Sequence, residues 1–189
     1  MDTFWLALSA IGSLATAVVI LVTVIVGWRQ LDELRRATQL EGAMRIFAEL
    51  DSPELDDARR FVTYELHEKL KDPQFRKEVE LTSLGDARVH KELLILRFFD
   101  RVGTYVEEGL IEGEIINKAA FGRILASWVM LSDVVAIHRS VVGDLLWQRF
   151  EKLKNSAADW VQRQGVEPSK VNAFIAAARR QDEPPERIP

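Results

Sequence analysis

The chain has 189 residues, a formal net charge of −4 and no cysteine, with 48% hydrophobic and 29% charged residues. The missing cysteines exclude disulfide frameworks, Cys-ligated zinc, iron–sulfur clusters and thiol catalysis. The acidic balance argues against nucleic-acid binding, because the basic pairs Arg35-Arg36, Arg59-Arg60 and Arg179-Arg180 each have acidic residues nearby and form no stripe.

Charge is sharply partitioned: the first 28 residues hold one charge, Asp2. Thr3 to Trp28 has no charge and no proline, which is longer than the ~20 residues a helix needs to cross a hydrocarbon core. Trp5 and Trp28 stand near its two ends, where tryptophan favours the headgroup level. A cleaved signal peptide fits poorly, since the n-region lacks Lys and Arg and the Ala15-Thr16-Ala17 candidate lies inside the apolar run. Arg29, Arg35, Arg36 and Arg45 follow the run and no basic residue precedes it, so the positive-inside rule puts the C-terminal part in the cytoplasm. The expectation is a single-pass anchor over 1–28 in a bacterial inner membrane.

Ser9, Thr16 and Thr23 recur every seven residues along this helix, with Gly12 and Ser13 beside them. Three readings stay open: hydroxyls bonded to their own helix, a homo-oligomer contact through small residues, or a water-lined pore made by several copies.

Helical spacing of Leu31, Leu34, Thr38, Met44, Phe47 and Leu50 carries the helix on as a stalk over 29–50, with Asp32 and Arg36 as a favourable i,i+4 pair. Ser52-Pro53-Glu54 starts a helix expected to run to Leu70. Asp72-Pro73 starts a short one ending before Leu84-Gly85. A long helix then begins at Asp86 and stops near Gly109 or Gly113. Ile115 to Ile137 is very apolar, but Arg123 and Asp133 interrupt it, so it reads as a buried core helix and not as a second span. Gly143-Asp144 caps the next helix, whose face is Leu146, Phe150, Leu153, Ala157 and Trp160, and Gly165 ends it. A last short helix follows Pro168, and 181–189 reads as a disordered tail. The fold class is all-α: an N-terminal transmembrane helix continuing into a stalk, then a compact helical bundle over 51–180.

Catalytic chemistry is hard to find. His67-Glu68 opens like a zinc-protease motif, but position 71 is Lys. There is no Glu-x-x-His pair, phosphate-cradling glycine loop or nucleophile elbow. Glu54, Asp56 and Asp57, and also Glu107, Glu108, Glu112 and Glu114, read as solvated faces, with a divalent metal as the lesser alternative. Asp100, Arg101, Arg123, Asp133 and Arg139 are charges inside apolar helices. Ion pairs among them are expected, since a buried charge needs a partner; a polar pocket is the alternative.

Ile95-Leu96-Arg97-Phe98-Phe99-Asp100-Arg101-Val102-Gly103, then Glu108-Gly109-Leu110-Ile111-Glu112, then Trp128 and Arg139, resembles a bacterial family of membrane-anchored helical proteins with a domain of unknown function. The resemblance covers nearly the whole chain. It implies the architecture above and carries no catalytic residues. On the residues alone, Phe98, Phe99 and Trp128 read as packing, Gly109 as a helix stop and Arg139 as the partner of an acid. The functional expectation is a non-enzymatic protein with no cofactor, tethered to a lipid bilayer. It would self-associate or bind a protein partner at the cytoplasmic face. The alternative is a homo-oligomeric pore or effector gated by the helical domain, in stress or phage defence.

Overall fold

A computed structural model describes the backbone of residues 2–81 and 90–166, with Lys170 and Ala173, and within these the side chains from Val18 onward except that of residue 81, together with Thr16. Within these residues there are seven helices and no strand: α1 (Asp2–Leu50), α2 (Pro53–Tyr64), α3 (Leu66–Lys69), α4 (Pro73–Leu81), α5 (Glu92–Glu107), α6 (Gly113–Val142) and α7 (Gln148–Arg163). The chain divides into two compact units, 1–41 and 42–189. The expected tail, most of the helix after Pro168 and the Asp86 helix start lie outside the described residues.

In the first unit, α1 has no Gly-Pro break and runs unbroken through Leu31 and Leu34. Asp32 and Arg36 meet at 3.0 Å, an exposed i,i+4 pair. Every large apolar side chain from Val18 to Leu34 is exposed. In the second unit, Ala43, Ile46 and Leu50 are buried, so the last turns of α1 belong to the core of that unit. Of the stalk expected over 29–50, residues 42–50 thus belong to the second unit.

The start of α2 follows its sequence. Ser52 is the N-cap and its Oγ accepts from the Leu55 N–H at 3.3 Å, while Pro53 takes the first turn, where no N–H is needed. Leu55, Ala58, Phe61 and Val62 bury one face. The expected single helix to Leu70 is interrupted at Glu65, at φ −110° and ψ −33°, which ends α2 and precedes α3 while its N–H still bonds the Phe61 carbonyl. No Gly or Pro marks that point, so the sequence carried no sign of it.

α5 ends where Gly109 adopts φ 67°. The Leu110 N–H bonds the Tyr105 carbonyl at 2.9 Å and the Gly109 N–H bonds the Val106 carbonyl at 3.1 Å, which is a Schellman stop. Among the residues whose side chains are described, α6 is long and apolar enough to cross a membrane by length and composition. It is instead the centre of the bundle: Ile124, Leu131 and Val134 are wholly buried, and it packs on α7, α4, α5 and α2. In its seam with α7, Asn117 Nδ2 donates to Ser156 Oγ at 2.9 Å.

Gly143, at φ 109°, stops α6. A turn follows, and α7 starts at Gln148, later than Gly143-Asp144 suggests. The residue before it, Trp147, holds φ 60° and ψ 21°. A bulky side chain in this left-handed region costs about 1–3 kcal/mol and persists only where neighbours fix it.

Candidate functional site

The start of α7 carries an N-terminal turn with four N–H groups to satisfy and no capping side chain of its own. The cap comes from another helix. Asp100 on α5 accepts from the Phe150 N–H through Oδ1 at 3.1 Å, so a carboxylate lies at a helix N-terminus, where the dipole favours it. One turn on, Gly103 faces the Arg149 carbonyl, and any Cβ there would collide with it. α5 and α7 therefore approach backbone to backbone at this point.

The rest of the motif gathers on the same turn. Phe99 stacks on Phe150 with ring centroids 4.9 Å apart and an interplanar angle of 13°, and Phe98 meets Phe99 edge-on at 5.1 Å. Trp128 on α6 meets Phe150 edge-on at 5.1 Å. Arg139 sits over the Trp128 ring, donates from Nε to the Leu146 carbonyl at 3.0 Å and pairs with Glu151 at 2.8 Å. Lys154 covers the same ring, and Glu107 holds Lys152 at 2.5 Å and Arg149 at 3.5 Å. Phe99, Asp100, Gly103, Trp128 and Arg139, far apart in sequence, thus form one dock for Phe150 and the first turn of α7.

Residues 17–160 match the domain of unknown function DUF4760. The chain belongs to the DUF4760 family. No curated protein and no solved structure matches it. The matched span includes α5, α6 and α7 almost entire, so the α7 dock lies within the DUF4760 region.

The expected ion pairs among the embedded charges do not form. Arg101 pairs with Glu49 and lies over Phe98, Arg123 reaches Asp51 at 2.5 Å, and Arg139 takes Glu151. Asp100 is used by a backbone N–H, and Asp133 is exposed. Each embedded charge sits near the edge of its helix's apolar face and finds a partner on a neighbouring helix or in solvent, which helical spacing alone does not display. Asp133 lines a shallow polar groove of about 510 Å³ with His67, Lys71 and Arg76, away from Asp100 and Arg139. The three residues do not converge on one pocket. Among the described residues no group of three His, Asp or Glu side chains is placed to hold a metal ion.

On α1, the side chains of Trp5, Ser9, Gly12 and Ser13 lie outside the described residues. Thr16 is exposed and already has a partner. Thr23 donates from Oγ1 to the Val19 carbonyl of its own helix at 2.8 Å. Trp28 is 75% exposed and Arg29 is exposed beside it.

Sequence reasoning missed a second polar cluster, deep in the bundle. His90, just ahead of α5, contacts Glu92 through Nδ1 at 2.8 Å, stacks on Phe75 with centroids 5.2 Å apart and turns Nε2 toward Glu78 at 3.8 Å. Glu92 is 0% exposed, and its Oε2 has no partner. Burial pushes the Glu92 carboxyl above its ordinary value; its own backbone N–H and His90 oppose the shift. His138 on α6 is 1% exposed and accepts from the Trp147 indole N–H through Nδ1 at 3.0 Å. Burial holds it below the ordinary imidazole value, against the pull of the Val79 carbonyl. Three histidines in a chain of this length, two of them on apolar stretches, were the only available signal.

Proposed function

We propose that this protein is a non-enzymatic, single-pass tether of the bacterial inner membrane, with its DUF4760 bundle on the cytoplasmic side as a module that associates with itself or with a protein partner. The observation that carries this reading is the bare apolar length of α1. From Val18 to Val26 every large hydrophobic side chain is exposed, and from residue 3 to residue 28 no charge interrupts the helix. A helix apolar on all sides needs lipid or other helices around it. Tethering also concentrates the bundles in one plane, so weak contacts between them suffice. The motif residues support the non-enzymatic part, because the α7 dock uses their polar groups. A pore is less well supported: Thr23, one of its three polar rungs, bonds its own backbone.

The test combines carbonate extraction of membranes with the mass of the detergent-solubilised protein, beside a chain beginning at Leu31. Retention in the carbonate pellet and a discrete oligomer for the full chain, with a soluble monomer for the shortened one, are expected. Full-length protein in the carbonate supernatant would remove the tether.

A further inference from the structure

The dock accounts for Phe150 and the residues after it, but Trp147, the residue before α7, is held otherwise. Its backbone is left-handed at φ 60°, a conformation its bulky side chain resists. Its side chain is buried, and its one polar atom donates to His138 Nδ1. That bond exists only while Nδ1 carries a lone pair. A proton on Nδ1 sets two N–H donors face to face at 3.0 Å between two buried side chains. Nothing else polar is paired with the indole.

We propose that the His138–Trp147 pair is a proton-operated latch on α7: when His138 takes a proton on Nδ1, Trp147 loses its acceptor, the left-handed residue relaxes and the first turn of α7 leaves its cap on Asp100. The charges around the ring set the direction. His90 faces it from ahead of α5, with Glu92 and Glu78 behind His90. α4 turns the Val79 carbonyl toward it. Arg139, next on α6, is held by Leu146 and by Glu151 of α7. On the α3 and α4 side His67, Lys71, Arg76 and Glu80, with Asp133 of α6, line the groove beside Ile137 and Ser140. Among the described residues no carboxylate touches the ring to stabilise its charge. Burial depresses the His138 pKa, so the unfolded chain takes the proton first as pH falls below about 6.5. The stability His138 contributes is present above that value and lost as pH falls through its lower folded value. The latch therefore opens on the acid side. α7 is then free to expose the face that covered Phe99 and Trp128, apolar surface of the kind that recruits partners. None of this depends on whether α1 lies in a membrane.

The experiment uses the full chain in detergent, with ¹⁵N in the histidine rings and tryptophan indoles and amide exchange read at Phe150. At about pH 7.5 the His138 proton should reside on Nε2. Between about pH 7.5 and about pH 5, His138 protonation and the shift of the Trp147 indole should share one midpoint. The intrinsic-rate-corrected protection of Phe150 should drop roughly tenfold or more across it. His138→Gln keeps an acceptor for the indole at every pH and should abolish both changes. Trp147→Phe removes the donor and should leave Phe150 weakly protected even at neutral pH. Protonation of His138 with an unmoved indole overturns the proposal, and so does full Phe150 protection in Trp147→Phe.

Discussion

α1 and α6 are the two most apolar helices of the chain, and they meet opposite fates. α6 buries eleven residues, among them Ile124, Leu131 and Val134, against four other helices. The described side chains of α1 from Val18 to Leu34 find no such cover. The difference is written in a few charges. Arg123 and Asp133 sit at the rim of α6, one on Asp51 and the other in solvent, and they fix which sides of the helix face water. Residues 3 to 28 carry none, so this stretch of α1 has no side that prefers water. Hydropathy alone ranks the two helices together. The placement of charge along them separates a bundle core from a surface that calls for lipid or other helices.

The same substitution in each helix gives the widest separation. Leu131→Arg puts an unpaired charge where no atom is exposed, and a loss of about 3–5 kcal/mol is expected, a large share of a typical domain's total. Thermal melting of the bundle should collapse or become uncooperative. Leu21→Arg should leave that melt unchanged. On the proposed tether it should shift protein from the membrane to the soluble fraction, with a cost of about 2.5–3.5 kcal/mol at a helix centre. Equal damage to the melt from both would erase the distinction between the helices.

A finer test concerns how the bundle keeps α6 covered. α7 supplies much of that cover, and its position depends on Gly103, where the Arg149 carbonyl leaves no space for a side chain. Gly103→Val should cost about 1–3 kcal/mol in a denaturant titration, because the α5–α7 seam must part. A change in m with an unmoved midpoint would instead point to altered compactness of the unfolded or native state.

Much of this architecture was legible in the sequence. Ser52-Pro53, Gly109 and Gly143 marked helix ends, and the spacing of Phe150, Leu153 and Ala157 marked the buried face of α7. What was not legible depends on tertiary proximity. Asp100 looked like half of an ion pair, yet it caps a helix that starts 48 residues later, at Gln148. The break between α2 and α3 at Glu65 has no Gly or Pro to announce it. His90, Glu92 and His138 share no spacing motif, since one precedes α5, one opens it and one lies near the end of α6. Only the fold brings them together.

Glu92 offers the subtlest probe, because it tests whether the bundle tolerates charge at all. α6 avoids buried charge by placing Arg123 and Asp133 at its rim, whereas Glu92 is 0% exposed with one oxygen unpartnered. Burial raises its pKa above 4.5, so the folded protein holds this proton more tightly than the unfolded chain. The unfolded chain releases the proton near pH 4.5, and above that value folding must either keep it or bury a carboxylate. Glu92 therefore contributes stability that is present below pH 4.5 and is lost as pH rises through its folded value, with a slope of at most about 1.4 kcal/mol per pH unit. Glu92→Gln keeps the shape and an acceptor for His90 but has no proton to release. Denaturant titrations across that window should show the slope flattened in Glu92→Gln relative to the parent chain. An unchanged slope would mean that Glu92 stays ionised within the fold, held by His90 on one oxygen alone. The bundle would then bury a charge that α6 places only at its surface.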